Sequence, residues 1–346
     1  LNGLGRGRRL GDCAFSTTSS DYRQTLSADC VIDAVSGINV VAGKYLTLKG
    51  SVTTDPANYI TLKTSATNAR HIQSKGHVDL SYLRLLHTQG AKTTAGGCIS
   101  VLNAGILKLL HVVLENCWAT SQGGAIRLVS LTNKAIMSYV TIKSPVSDEG
   151  GALFIQNCDD VVMDHVEIDS AHAKDGRGGG IAMQGCSTIN SCDPSKLTIT
   201  DSTFKSCTAA GAGKGYGGAI SIQDGTTAIT STTFESNTAV KAGAVHVGAK
   251  AAVTFNDGIN FNDNLATYFE SSNPKWNTLW RETSATSMEF STCDSTETAI
   301  FLKAEGSERR IDAMDTQPNC FKPIIICSFS TATSGLDHTV PEAGCT

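Results

Sequence analysis

At 346 residues and 40% hydrophobic content the chain can bury one large core or two smaller ones. Charged residues make up only 17% and the formal net charge is -4, which argues against long charged amphipathic helices and against nucleic acid as a partner. No apolar run approaches the ~20 residues of a membrane-spanning helix, so membrane insertion is not expected.

In chain order, the N-terminal stretch carries a basic run, Arg6, Arg8 and Arg9, read as a solvated tail, and two cysteines, Cys13 and Cys30, placed to staple a cap. Short alternating segments follow: Gly37-Ile38-Asn39-Val40, Tyr45-Leu46-Thr47-Leu48, Tyr59-Ile60-Thr61-Leu62 and Val78 to Leu83. Apolar residues at every second position predict half-buried strands.

Further along, a tetrad of two glycines, a small residue and an aliphatic one recurs. It reads Gly96-Gly97-Cys98-Ile99, Gly123-Gly124-Ala125-Ile126, Gly150-Gly151-Ala152-Leu153, Gly178-Gly179-Gly180-Ile181, Gly217-Gly218-Ala219-Ile220 and, degenerately, Ala242-Gly243-Ala244-Val245. The spacing is near-constant except for the long step from Gly178 to Gly217, which is accounted for by loops at Cys186 to Pro194 and Gly211 to Gly215. After each tetrad the pairs Ile99/Val101, Ile126/Leu128, Leu153/Ile155, Ile181/Met183, Ile220/Ile222 and Val245/Val247 share one face, expected to be inward. The residues between them, Ser100, Arg127, Phe154, Ala182, Ser221 and His246, are expected on an open outer surface.

Before the next tetrad a second inward column is predicted at Leu114, Ile142, Ile168, Phe204, Phe234 and Phe261, followed three residues later by Cys117, Pro145, Ala171, Cys207, Asn237 and Asn264. A third apolar run, such as Leu107/Leu109 and Val161/Met163, lies between the two. A period of about 27 residues with three short strands is one turn of a solenoid in which each turn stacks on its own copy ~4.8 Å away. The expected fold is therefore all-β: a right-handed parallel β-helix, a three-strand solenoid of roughly nine turns, with disulfide-stapled ends. The expected layout is an N-terminal cap over 1–30, the β-helix over 31–267 and a cysteine-containing C-terminal cap over 268–346.

The twelve cysteines include no C-x-x-C pair, so disulfides in an oxidising, secreted, cell-surface setting are expected rather than a zinc site. The bridge candidates are Cys13, Cys30, Cys158, Cys186, Cys192, Cys293, Cys320, Cys327 and Cys345. Cys158 with Cys186 on adjacent turns and Cys186 with Cys192 across a loop are equally open, and some central cysteines are expected buried and unpaired.

The pairing of GGA[ILV] with FxxN (Phe234 to Asn237, Phe261 to Asn264) resembles the repeats of chlamydial polymorphic outer membrane proteins and related β-helix surface proteins of other microbes and protists, over about residues 30 to 267. That resemblance implies a cell-surface adhesin or structural passenger without a catalytic centre.

The rival is a polysaccharide lyase or glycoside hydrolase acting on acidic polysaccharide, with Asp159, Asp160, Asp164 and His165 as its site, where paired carboxylates would serve as acid and base or hold calcium against a uronate. Turns equivalent to Asp160 carry Asn133 or Lys134, so no acidic ladder is expected, and these residues read as a solvated turn. Gly211-Ala212-Gly213-Lys214-Gly215 does not complete a phosphate loop, and His71, His77, His87 and His111 are scattered, so no metal, cofactor or catalytic residue is expected. The sequence thus predicts a non-enzymatic extracellular module, an adhesin or a subunit of a surface assembly or filament, whose partners are its own copies or surface glycans.

Overall fold

The structure, a computed structural model, describes residues 11–12, 21–32, 37–53, 55–64, 70–87, 92–185, 194–267, 279–281, 287–290, 299–304 and 307–312. It is an all-β parallel solenoid of about eight turns rather than nine. Its only described helical element is a single 3-10 turn, Pro56–Asn58, and none of the described helices is long and apolar enough to cross a membrane.

The tetrad strands stack in register. Ile99 pairs with Ile126, Ile126 with Leu153, Leu153 with Ile181, Ile181 with Ile220 and Ile220 with Val245. The second column stacks as predicted, Leu114 on Ile142, then Ile168, Phe204, Phe234 and Phe261. The three phenylalanine rings lie 5.3 and 5.1 Å apart and nearly parallel, and each is fully or almost fully buried. The middle run supplies a third column, Leu107, Ala135, Val161, Leu197, Thr227 and Val253. A fourth, two-residue strand closes each side of the upper turns: Val146–Ser147, His172–Ala173, Thr208–Ala209, Thr238–Ala239 and Leu265–Ala266. The core is one continuous apolar column along the axis. Pairing runs past residue 267, where Leu279 stacks on Val245 and Leu302 on Leu279.

The two tetrad glycines do different jobs. The first sits at positive φ, 65° at Gly123 and 62° at Gly150, and Ala242 takes the same conformation at 58°. The second permits axial approach: a Cβ on Gly151 would lie 2.0 Å from the carbonyl oxygen of Gly179 on the next turn. No side chain survives that contact, and at the first position too a Cβ on Gly123 would lie 2.2 Å from the Ile126 carbonyl oxygen, so alanine is accommodated only at the degenerate corner, Ala242.

The coil reverses at three further left-handed residues per turn, such as Ser130, Tyr139 and Ser144, then Asn157, His165 and Ser170 one turn on. One of these columns is aromatic. Tyr82, His111, Tyr139 and His165 stack with centroids 5.0, 4.7 and 4.6 Å apart. Ring stacking offsets part of the strain of holding bulky residues at positive φ, 56° at Tyr82 and 52° at His111.

Asn237 and Asn264 form a buried amide ladder. Asn237 Nδ2 donates to the Phe204 carbonyl at 3.0 Å and to Asn264 Oδ1 at 2.8 Å, while its Oδ1 accepts the Cys207 N–H at 2.9 Å. Asn264 Nδ2 repeats the pattern on the Phe234 carbonyl at 2.9 Å. The FxxN signature is thus a ring that fills the core and an amide that satisfies the corner behind it.

The bridges differ from expectation. The one disulfide with both partners among the described residues joins Cys98 to Cys117, neither of which was a candidate. Cys98 holds the third tetrad position and Cys117 the position that asparagine takes at Asn237 and Asn264, so a corner that elsewhere carries alanine and asparagine is here crosslinked. Cys158 is free and buried. Counting eight residues from the tetrad equates it with Cys186, which lies outside the described residues, and the Cys158 N–H is accepted by Ser195 Oγ at 3.1 Å. Cys207 is likewise free and buried. Cys30 is disulfide-bonded to a cysteine outside the described residues. Cys13, Cys186, Cys192, Cys293, Cys320, Cys327 and Cys345 lie outside them.

Candidate functional site

The outer side of the tetrad strands is not the open surface that alternation suggests. Ser100, Phe154, Ala182, Ser221 and His246 are all buried, and Arg127 is half-buried. The cause is the tetrad corner: the left-handed first glycine brings the residue before it back alongside the strand. That preceding row, Gln122, Glu149, Arg177, Tyr216 and Lys241, forms a wall whose members bridge from turn to turn at Gln122 with Glu149 and Tyr216 with Lys241. Tyr216 lies with its ring 4.7 Å from that of His246 and so roofs it.

On the far side of this floor runs a second row, two residues beyond the floor positions. Gln156 pairs in register with Gln184, and Gln223 holds the equivalent place on the next turn. All three are half-buried. Two glycines make room along this row: a Cβ on Gly185 would collide with the Asp224 carboxyl group at 2.0 Å, and one on Gly248 would meet Gln223. Between wall and row lies a depression of about 320 Å³, lined by Gln156, Arg177, Gln184, Gly185, Gln223, Asp224 and Lys250.

The polar groups of the groove hold one another across turns. Arg177 Nη1 donates to Gln223 Oε1 at 2.6 Å, and Gln184 Nε2 donates to Glu149 Oε1. Gln223 Nε2 reaches His246 Nδ1 at 3.2 Å, and Ser221 Oγ lies 3.1 Å from the same nitrogen. Gln156 Nε2 donates to the Gly185 carbonyl at 3.3 Å. Arg177 and Lys241 both face the Tyr216 ring, 5.3 and 5.4 Å from its centroid. Burial raises the Glu149 carboxyl above the usual carboxylate range, against the pull of Arg177, Gln184 and Gln122.

Such a surface suits a polyhydroxylated ligand. A glutamine side chain presents two donors and an acceptor, the complement of neighbouring hydroxyl groups, and its repetition on consecutive turns lets one chain ligand run along the axis. None of these glutamines was singled out from the sequence. The signal is in the sequence, since Gln156, Gln184 and Gln223 each lie three residues after the tetrad's aliphatic residue, but an outer face expected to be open surface gives it no weight.

The acids chosen from the sequence stand elsewhere. Asp160 pairs with Lys134 at 3.3 Å on a largely exposed corner, and Asp159 N–H donates to the Leu131 carbonyl at that corner. Asp164 Oδ1 contacts His165 Nδ1 at 2.9 Å at the opposite end of the strand Val161–Asp164, on the aromatic column. Asp201 of the next turn joins them in an exposed cluster. The strand separates the two pairs by about 13 Å at ~3.3 Å per residue, so the structure does not bring Asp159 and Asp160 together with Asp164 and His165. His71 and His87, separated in the chain by the strand His77–His87, are brought together: their rings stack at 5.1 Å inside the coil beside Cys98.

No family model and no curated relative matches this sequence. Among solved structures the chain is similar to Pantoea stewartii WceF, described as a glycan biofilm modifying enzyme with a bacteriophage tailspike-like parallel beta-helix fold. The match has a TM-score of 0.40 at 8% identity and covers 86% of this chain and 38% of that one. The chain thus spans well under half the length of that protein.

Proposed function

We propose that this chain is an extracellular, non-enzymatic adhesive β-solenoid that holds a surface glycan along the groove beside its tetrad strands. The observation that carries the reading is the glutamine row Gln156, Gln184 and Gln223 facing the wall of Glu149, Arg177 and Tyr216 across the buried floor of Phe154, Ala182 and Ser221. A polar groove whose side chains are held by hydrogen bonds from turn to turn is preorganised for hydroxyl recognition. The GGA[ILV] and FxxN pattern, which resembles repeats of surface adhesins, points the same way. The filament reading rests on end turns that lie largely outside the described residues, and nothing in the groove speaks for it.

The test is binding of the purified chain to an array of microbial and host oligosaccharides, with Arg177→Ala and Gln184→Ala in parallel. Binding to a defined glycan that falls at least tenfold in both variants supports the reading. Array binding that both variants retain, or no glycan binding at all, refutes it.

One observation favours a cleaving function instead. Asp224 lines the depression and Glu149, its carboxyl pushed up by burial, is bonded to the lining Gln184, two carboxyl groups of the kind glycan hydrolysis uses. Release of new reducing ends from a bound glycan, abolished in Glu149→Gln with binding intact, would establish it.

A further inference from the structure

Two adjacent tetrad-type corners low in the coil carry residues unlike those above them. His71 holds the place of Cys98 one turn below, since the N–H groups of His71 and Ile72 both donate to the Cys98 carbonyl at 3.0 Å, as those of Cys98 and Ile99 do to Ala125. In the turns above, that column is Ala125, Ala152, Gly180, Ala219 and Ala244. His87 stacks on His71 from across the corner, and Cys117 is bonded to Cys98. Two imidazoles and two sulfurs therefore meet at one buried spot, with donor atoms of His71, His87 and Cys98 all within 4.8 Å of one another.

A second observation points the His71 ring at a ligand. Its Nε2 lies 3.0 Å from the Leu62 carbonyl, a contact that favours the tautomer with the proton on that nitrogen and the lone pair on Nδ1. Nδ1 is buried and has no partner in full hydrogen-bond geometry, with the Leu86 carbonyl within hydrogen-bonding reach of the ring. An imidazole anchored through one nitrogen to a backbone carbonyl, with the other turned inward, is how metal-binding histidines are commonly held. His87 Nδ1 receives the Trp118 N–H at a long 3.4 Å.

We propose that in the reduced chain His71, His87, Cys98 and Cys117 form a buried tetrahedral site for a zinc-class divalent cation, so that the corner is closed either by a disulfide or by a metal. A dithiol reductant supplies the change: it gives two electrons and two protons to the cystine and becomes a cyclic disulfide, leaving two thiols. Cation binding then displaces both thiol protons to solvent. Two thiolates and two neutral imidazoles around a divalent ion give zero net charge, which suits a fully buried site. Zn–S bonds of ~2.3 Å and Zn–N bonds of ~2.0 Å place donors about 3.3–3.8 Å apart. The freed sulfurs must separate and the rings draw in by about an ångström, movements within the range of side-chain rotation.

The test uses the full chain, reduced with dithiothreitol, desalted without oxygen and titrated with Co²⁺. Expected are one equivalent bound per chain, visible bands of tetrahedral cobalt and a near-ultraviolet thiolate band. All should be absent from the oxidised chain, lost in the Cys98→Ser/Cys117→Ser double variant and lost or shifted in His71→Asn, with the far-ultraviolet circular dichroism unchanged throughout. The same cobalt spectrum in wild type and double serine variant would assign the metal to other thiols and overturn the proposal. So would a reduced chain that binds no cobalt, or one that loses its β signature on reduction. X-ray absorption of the zinc-loaded reduced wild type needs no variant: two sulfurs and two nitrogens support the site, and a four-sulfur shell contradicts it.

Discussion

Replacing Asn237 by alanine isolates what the FxxN asparagine contributes. The substitution removes the amide contacts to the Phe204 carbonyl, the Cys207 N–H and Asn264 Oδ1, at 3.0, 2.9 and 2.8 Å. The Phe204 carbonyl and the Cys207 N–H are left buried without this partner. At ~1–3 kcal/mol for each stranded group, the expected loss is about 4 kcal/mol, a large fraction of a typical domain's stability. Glu235→Gln is the control on the same turn: its ion pair with Lys205 at 3.4 Å is largely exposed, so its loss costs ~0.5 kcal/mol or less. The assay is urea unfolding followed by far-ultraviolet circular dichroism, comparing midpoints at constant slope. Because Asn237 and Asn264 share a bond, Asn237→Ala/Asn264→Ala should cost less than the sum of the single variants. A loss within ~1 kcal/mol for Asn237→Ala, or strict additivity of the pair, would refute the ladder argument.

Other substitutions probe the remaining elements. Gly151→Ala forces a Cβ to 2.0 Å from the Gly179 carbonyl and should abolish the native coil, whereas Gly213→Ala, with open space around it but a φ of 70°, should cost only ~1 kcal/mol; thermal melts distinguish the two. Burial pushes the Cys207 thiol up to about 12 and Cys158 up to about 11. Native protein should therefore leave both thiols unalkylated by iodoacetamide at pH 8 while guanidinium-unfolded protein loses this protection, read by peptide mass spectrometry. The sign for stability follows: above the ordinary thiol value of 9.0 the unfolded chain releases these protons and the folded chain does not. Stability should thus fall by ~1.4 kcal/mol per pH unit per thiol from about pH 9 toward 11 or 12. Asp160→Asn breaks only the exposed pair with Lys134 and should leave glycan binding unchanged and unfolding within ~0.5 kcal/mol of wild type.

The coil was legible because a solenoid repeats its own constraints. The tetrad glycines, the inward aliphatic pairs and the Leu114-to-Phe261 column each had to match only their equivalents one turn away, and the period exposed them. What escaped was set by how corners fold in space. The left-handed glycine brings Glu149, Arg177 and Tyr216 back over the strand, so the outer residues became a groove floor, which strand alternation alone does not predict. The Cys98 to Cys117 bridge spans a corner between two strand directions, and residue counting along one direction led to Cys158 and Cys186 instead. The extra residues between Cys186 and Pro194 lengthen that repeat and shift the count. His71 and His87 look scattered because the strand Ile72–Ser74 and the length of the strand His77–His87 lie between them, yet their rings stack inside the coil.

The most direct test of the central claim is calorimetric titration of a glycan that binds on the array into wild type and into Gln184→Trp, which fills the depression between Gln156 and Gln223. The account predicts a measurable affinity for wild type, a loss of at least tenfold on filling the groove, and protection of Arg177 from chemical modification when the glycan is bound. Equal affinity in the two proteins, with Arg177 as reactive in the complex as in the free chain, would place the ligand elsewhere and contradict it.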